Sequence, residues 1–221
     1  MNEKITEFLK SRLVSDIGFS RCEDSPFPKL NNAVSIVMHL SEAVVNGIED
    51  APTHTYFHHY RTMNAYIDSV TNCLVLYLQE LGFNAAAVPS SQSINGLQGL
   101  YSHKKCAVRA GLGQIGKSAL FLSYKFGPRV RLGTVFTDAP LETKCCAAED
   151  ICGACNICSQ KCGAMAIKNV AYCEGMRRED IFAARACSDY MKDKFKSIGR
   201  GAVCGVCMRV CPKGMRGIKN G

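Results

Sequence analysis

The chain has 221 residues, 47% of them hydrophobic, with 27 Lys and Arg against 19 Asp and Glu and 14 cysteines. That length and apolar content are enough to bury a core in one or two domains, so the cysteines are not needed as disulfide staples for a small fold. No uninterrupted apolar stretch approaches the roughly 20 residues of a membrane-spanning helix, which argues against a membrane protein.

Residues 1–16, "MNEKITEFLKSRLVSD", read as an amphipathic helix with charges throughout and without the apolar region of a signal peptide. The expectation is the reducing cytoplasm, where clustered cysteines serve as metal ligands or redox groups. Residues 33–38, "AVSIVM", form a β-branched apolar run of the kind a buried strand needs. "THTYFHHYRTMN" at 53–64 bunches His54, His58, His59 and Tyr60 before a long helix. That helix is predicted over 60–81 from Met63, Ile67, Val70, Leu74, Leu78 and Leu81, with Gly82 as its C-terminal cap. "FNAAAVP" and "RVRLGTVFTD" read as further strands, the second alternating across Val130, Leu132, Thr134 and Phe136.

The fold class expected is α+β. An N-terminal α/β domain over 1–144, a mixed sheet with flanking helices, is followed over 145–221 by a small ferredoxin-like domain of short segments punctuated by Cys and Gly. The two are expected to share an interface, a common place for a ligand. Charge follows the same division: residues 161–221 hold 13 basic against 5 acidic side chains, the whole of the excess. A basic tail suits nucleic acid or an acidic partner, but it also offsets the negative charge of thiolate-ligated clusters.

"GLGQIGKS" at 111–118 fits both the dinucleotide fingerprint and the phosphate-cradling loop of NTPases. Either requires a hydrophobic strand just before the loop, and "YSHKKCAVRA" stands there instead, polar, basic and more helical than extended. A tight turn that needs glycine is the plainer alternative. His103, Lys117 and Arg131 are candidate anion contacts or simply solvated side chains.

The sharpest signal is "CGACNICSQKC" at 152–162, a C-x2-C-x2-C-x3-C run, followed by Cys187 alone and then Cys204, Cys207 and Cys211 with Pro212 after the last. In the bacterial ferredoxin pattern, three thiolates of a run grip one 4Fe-4S cube and the fourth reaches the neighbouring cluster. By that exchange one cluster takes Cys152, Cys155, Cys158 and Cys211, and the other takes Cys162, Cys187, Cys204 and Cys207. Structural zinc on C-x2-C pairs is the alternative, and it leaves several of these thiols unemployed. Cys22, Cys73, Cys106, Cys145, Cys146 and Cys173 lack ligand spacing and read mostly as small buried hydrophobes.

The segment "RAGLGQIGKSALFLSYKFGPRVRLGTVFTDAPL" (109–141), the first cysteine run, "ARACSDYM" and "CGVCMRVCP", in that order, resemble the epoxyqueuosine reductase family and its shorter anaerobic relatives, which are related to reductive dehalogenases. The resemblance covers about residues 56–212. It implies an α/β domain that cradles cobalamin and a domain with two 4Fe-4S clusters that supplies its electrons. It further implies that Gly111, Gly113, Gly116 and Lys117 border the corrinoid and that Tyr60 matches a family tyrosine; Tyr60 and His59 beside it are candidate proton donors, the alternatives being a packed tyrosine and a solvated or core-satisfied histidine. Where those enzymes carry an aspartate in a V-D-[ST]-A-P segment this chain has "VPSSQS" (88–93), and Gln114 replaces their tryptophan. The function expected is therefore an iron-sulfur oxidoreductase that passes electrons to a corrinoid or small substrate at the domain interface, supplied by a redox partner protein. The alternatives are a non-catalytic electron carrier docking a partner through its basic tail, and a P-loop ATPase.

Overall fold

The computed structural model describes residues 1–94, 96–143 and 150–214. These fold as two compact units, each assembled from separate stretches of chain. Unit 1 comprises Met1–His39, Thr62–Leu112 and Arg131–Ala147, and unit 2 comprises Leu40–Arg61, Gly113–Val130 and Ala148–Gly221. The expected boundary at 144/145 falls outside the described residues, and the cysteine-bearing unit draws on two earlier segments as well. Among the described residues no helix is long and apolar enough to cross a membrane.

Unit 1 is built on a sheet of strand order β1-β2-β6-β3, formed by β1 (Asp16–Arg21), β2 (Asn32–His39), β3 (Ala85–Val88) and β6 (Val130–Thr137). β1 and β2 pair antiparallel from Asp16 opposite Val37 to Arg21 opposite Asn32. β3 and β6 pair antiparallel from Ala85 opposite Thr137 to Val88 opposite Thr134. One face carries the main core, where Ile5 and Leu9 of α1 (Asn2–Lys10) join Ile67, Val70, Leu74 and Leu78 of α3 (His54–Glu80) over Val34, Ile36 and Val135. The other face carries Ala33, Val88 and Phe136 beneath Cys106 of α4 (His103–Arg109) and Cys22.

Helices on both faces change the reading of β6. The sequence suggests one buried and one open face, but every residue of β6 except Arg131 is buried, Gly133 and Val135 included. Gly133 is required by this packing, because a Cβ there would lie 2.7 Å from Ile67 Cγ2 and 3.0 Å from Thr71 Cγ2. The long helix starts at His54, six residues before its predicted start, with the Thr53 hydroxyl accepting the Tyr56 N–H at 3.0 Å. It stops as predicted at Gly82, whose φ of 87° belongs to a left-handed cap. The predicted N-terminal helix ends early, at Lys10, and the remainder leads into β1, a strand the sequence reading lacked.

Unit 2 contains α2 (Glu42–Asn46), the first turns of α3, the hairpin β4 (Gly113–Ile115) and β5 (Phe121–Ser123), and α5 (Ile157–Gln160), α6 (Arg178–Ile181), α7 (Ala184–Lys194) and α8 (Val206–Arg209). Arg129 is its largest buried cation, 1% exposed, ion-paired to Glu42 and donating to Asn46 Oδ1 at 2.9 Å.

Candidate metal centre

Unit 2 uses one local device twice. In Cys155-x2-Cys158-x3-Cys162 a four-residue helix, α5, begins two residues after the first cysteine; in Cys204-x2-Cys207-x3-Cys211, α8 begins at the same place. A helix of one turn follows the first cysteine of each C-x2-C-x3-C segment, and α5 and α8 lie in contact. The seventh and eighth thiols come from different settings: Cys152 from the loop before α5, and Cys187 from α7.

The electrostatics of these thiols show which are neighbours. Burial raises Cys158 to about 11, and the charges that add to the rise belong to Cys152, Cys211 and Cys155. Burial likewise raises Cys211, with Cys152 and Cys155 contributing. Cys187 is pushed up to about 11 by burial and then by Cys204 and Cys162. Cys207 is raised by burial, then by Cys204, Cys187 and Cys162, with Cys158 the smallest contributor. The eight thiols thus fall into Cys152, Cys155, Cys158 and Cys211 on one hand and Cys162, Cys187, Cys204 and Cys207 on the other, meeting at Cys158 and Cys207.

This donor set fits a thiolate-bound iron centre. The sulfurs are soft ligands, and burial, with neighbouring thiols adding, disfavours ionisation of Cys158, Cys187, Cys204, Cys207 and Cys211 until a cation compensates it. Among the described residues no three His, Cys, Asp or Glu side chains are gathered tightly enough for a single metal ion. A four-iron cube spreads its four thiolates more widely than a lone tetrahedral ion does, so the quartets and this spacing are compatible. Cys22, Cys73, Cys106 and Cys173 stand outside both quartets as free thiols; Cys145 and Cys146 lie outside the described residues.

The glycine loop serves these cysteines. No strand leads into it and no helix starts at its end: α4 precedes it, Gly113–Ile115 is β4, and the chain turns into β5, so the geometry of a phosphate-cradling loop is missing. The Lys117 ammonium, 7% exposed, donates to the carbonyl of Gly153 at 2.7 Å and to that of Cys155 at 3.3 Å. It thereby satisfies two backbone acceptors of the first cysteine loop. Gly116 lies against the same loop, where a Cβ would approach Cys152 Sγ to 3.3 Å. Gly113 lies in the hairpin and Gly111, with φ 71°, follows α4. The resemblance implies corrinoid contacts for these residues; in the structure Lys117 bonds cysteine-loop carbonyls, and Gly116 lies against Leu122 and Cys152.

The candidate proton donors are placed by packing. His59 Nε2 accepts the backbone N–H of Ser41 at 3.1 Å, at the N-terminus of α2, and burial, with His58 adding, lowers its pKa and favours the neutral ring. The Tyr60 ring is tilted against Tyr56 at 6.5 Å between centroids. Tyr56 in turn packs on Gly205, the left-handed residue that starts α8, where a Cβ would come within 2.9 Å of its ring. The first turns of α3 therefore buttress the second cysteine repeat. His103 belongs to unit 1, its ring between Thr134 Oγ1 at 2.9 Å and the Pro89 carbonyl at 3.1 Å. Arg131, also in unit 1, donates to Asn64 Oδ1 at 2.8 Å. Lys117 as a clamp, and Tyr56 as a support, were not readable from the sequence, because their partners are distant along the chain.

No family model matches the chain. It is 28% identical over 149 residues to a tetrachloroethene reductive dehalogenase of Desulfitobacterium hafniense, covering 62% of this chain and 25% of that protein. It is 30% identical over 110 residues to an epoxyqueuosine reductase of Listeria monocytogenes, covering 48% of this chain and 28% of that protein. A solved reductive dehalogenase, whose structure is described as suggesting a mechanism for B12-dependent dehalogenation, superposes with a TM-score of 0.72 at 17% identity over 94% of this chain and 31% of that one. The chain is a distant homologue of both groups. The matches span about a quarter to a third of those proteins. The α+β fold and the cysteine-rich C-terminal region agree with this kinship.

Proposed function

We propose that the chain is a cytoplasmic iron-sulfur oxidoreductase. Cys152, Cys155, Cys158 and Cys211 hold one 4Fe-4S cluster, and Cys162, Cys187, Cys204 and Cys207 hold a second. The observation that supports this reading is that, burial apart, Cys158 and Cys211 are influenced by Cys152 and Cys155, whereas Cys187 and Cys207 are influenced mainly by Cys204 and Cys162. Such clusters supply one-electron transfer at potentials set by net charge, hydrogen bonding and burial. Lys117 fixes the first loop, and Tyr56 supports the second. The electron acceptor is a corrinoid or a small substrate, a reading supported by kinship with the B12-dependent dehalogenase and the epoxyqueuosine reductases. The absence of a carboxylate in 88–93 disfavours epoxyqueuosine itself as the substrate.

The test is an anaerobic preparation assayed for iron, sulfide and cobalt per chain, then titrated with cob(II)alamin under EPR. About eight irons and eight sulfides are expected, with a changed cobalt spectrum on binding. Iron without any cobalt response leaves an electron carrier; a colourless protein holding zinc removes the whole reading.

A further inference from the structure

We propose that Cys22 and Cys106 form a separate redox site, a dithiol that hydrogen peroxide oxidises to a disulfide. The two sulfurs stand 3.4 Å apart, 84 residues distant in sequence, one just after β1 and the other on α4. Both side chains are fully buried, in an apolar pocket with Ala33, Val88 and Phe136. A disulfide needs about 2.05 Å between sulfurs, so closure asks for a shift of little more than an ångström.

The surroundings distinguish the two thiols. Cys22 and Cys106 share a hydrogen bond in which either sulfur can donate, the Arg109 guanidinium also acts on Cys22, and the Ser20 hydroxyl stands 3.6 Å from it. The hydrogen bond between the sulfurs lowers the pKa of Cys22 and raises that of Cys106. Arg109 is held in place by Asp24 at 2.6 Å, and Asp24 also accepts the Tyr101 hydroxyl at 2.6 Å. A thiolate beside a fixed guanidinium is the arrangement that makes a cysteine nucleophilic. Burial of both sulfurs restricts the oxidant to a small uncharged molecule.

In the first step the Cys22 thiolate attacks one peroxide oxygen; an S–O bond forms, the O–O bond breaks, and the leaving hydroxide is protonated to water. In the second, the Cys106 sulfur, having lost its proton, attacks the Cys22 sulfenic acid; the S–S bond forms, the S–O bond breaks, and the second hydroxide leaves as water. Two thiols and one peroxide give one disulfide and two waters.

The test treats the full chain, purified anaerobically, with hydrogen peroxide, denatures it in N-ethylmaleimide and maps its peptides by mass. The expected product is a Cys22 peptide joined to a Cys106 peptide, 2 Da lighter than the two thiol peptides together and absent after dithiothreitol. In a Cys106→Ala variant dimedone should trap Cys22 as the sulfenic acid. Recovery of both cysteines as maleimide adducts, after a dose that oxidises Cys73 or Cys173, overturns the proposal. So does either cysteine bonded to a different partner.

Discussion

His103 is kept neutral by its surroundings. Burial draws its pKa down to about 4, the Arg131 charge adds to the fall, and the Pro89 carbonyl and Asp68 oppose it. In the unfolded chain the ring titrates near 6.5. Its contribution to stability is therefore complete above pH 6.5 and is lost as pH falls from 6.5 towards 4, a loss of roughly 3 kcal/mol across the window. Melting temperatures of unit 1 should fall over that range, and His103→Gln should flatten the dependence. At Lys117 the expected effect is on metal. Removing its two hydrogen bonds with Lys117→Met should weaken iron retention by the first quartet about 10- to 100-fold, as loss of an outer-shell partner does, while the second quartet keeps its iron. Cys187→Ala should do the reverse and leave about half the iron, all of it in the first cluster. EPR of the reduced protein separates the two outcomes, and loss of both clusters or of neither contradicts the ligand assignment.

Elements differ in how plainly the sequence announces them. β2 is a continuous β-branched run and α3 carries apolar groups over seven turns, so both are legible from periodicity alone. β1 is only six residues, "DIGFSR", with a glycine inside and charges at both ends, too little pattern to outweigh the helix before it. β6 was legible as a strand, but its two-sided burial depends on α3 and α4, which no local pattern reveals. The four-residue helices α5, α6 and α8 are shorter than a hydrophobic period can register. The cysteine runs stand out because their regular spacing is visible in the sequence itself, whereas Lys117 reaches carbonyls 36 and 38 residues further on. The close approach of α3 to β6 gives a prediction at this scale. Gly133→Ala should overpack Ile67 and Thr71 and cost about 1–3 kcal/mol, measured by denaturant unfolding.

At the scale of the molecule, the proposed clusters should couple metal to fold in one unit only. Unit 1 has a continuous apolar core on both faces of its sheet. Unit 2 places eight cysteines in or beside helices of one to three turns. Anaerobic chelation should release hydrogen-exchange protection in α5, α7 and α8 while β2, β6 and α3 beyond Thr62 keep theirs; equal loss throughout would show that the cores do not differ in this way. The alternation of segments between the units also orders events on the ribosome. A nascent chain that has reached residue 130 still lacks the strand that joins β2 to β3, and it has made none of the eight ligands. In the proposed ligand assignment the first quartet opens at Cys152 and closes only once Cys211 has been synthesised, so its cluster has to wait for the second cysteine run.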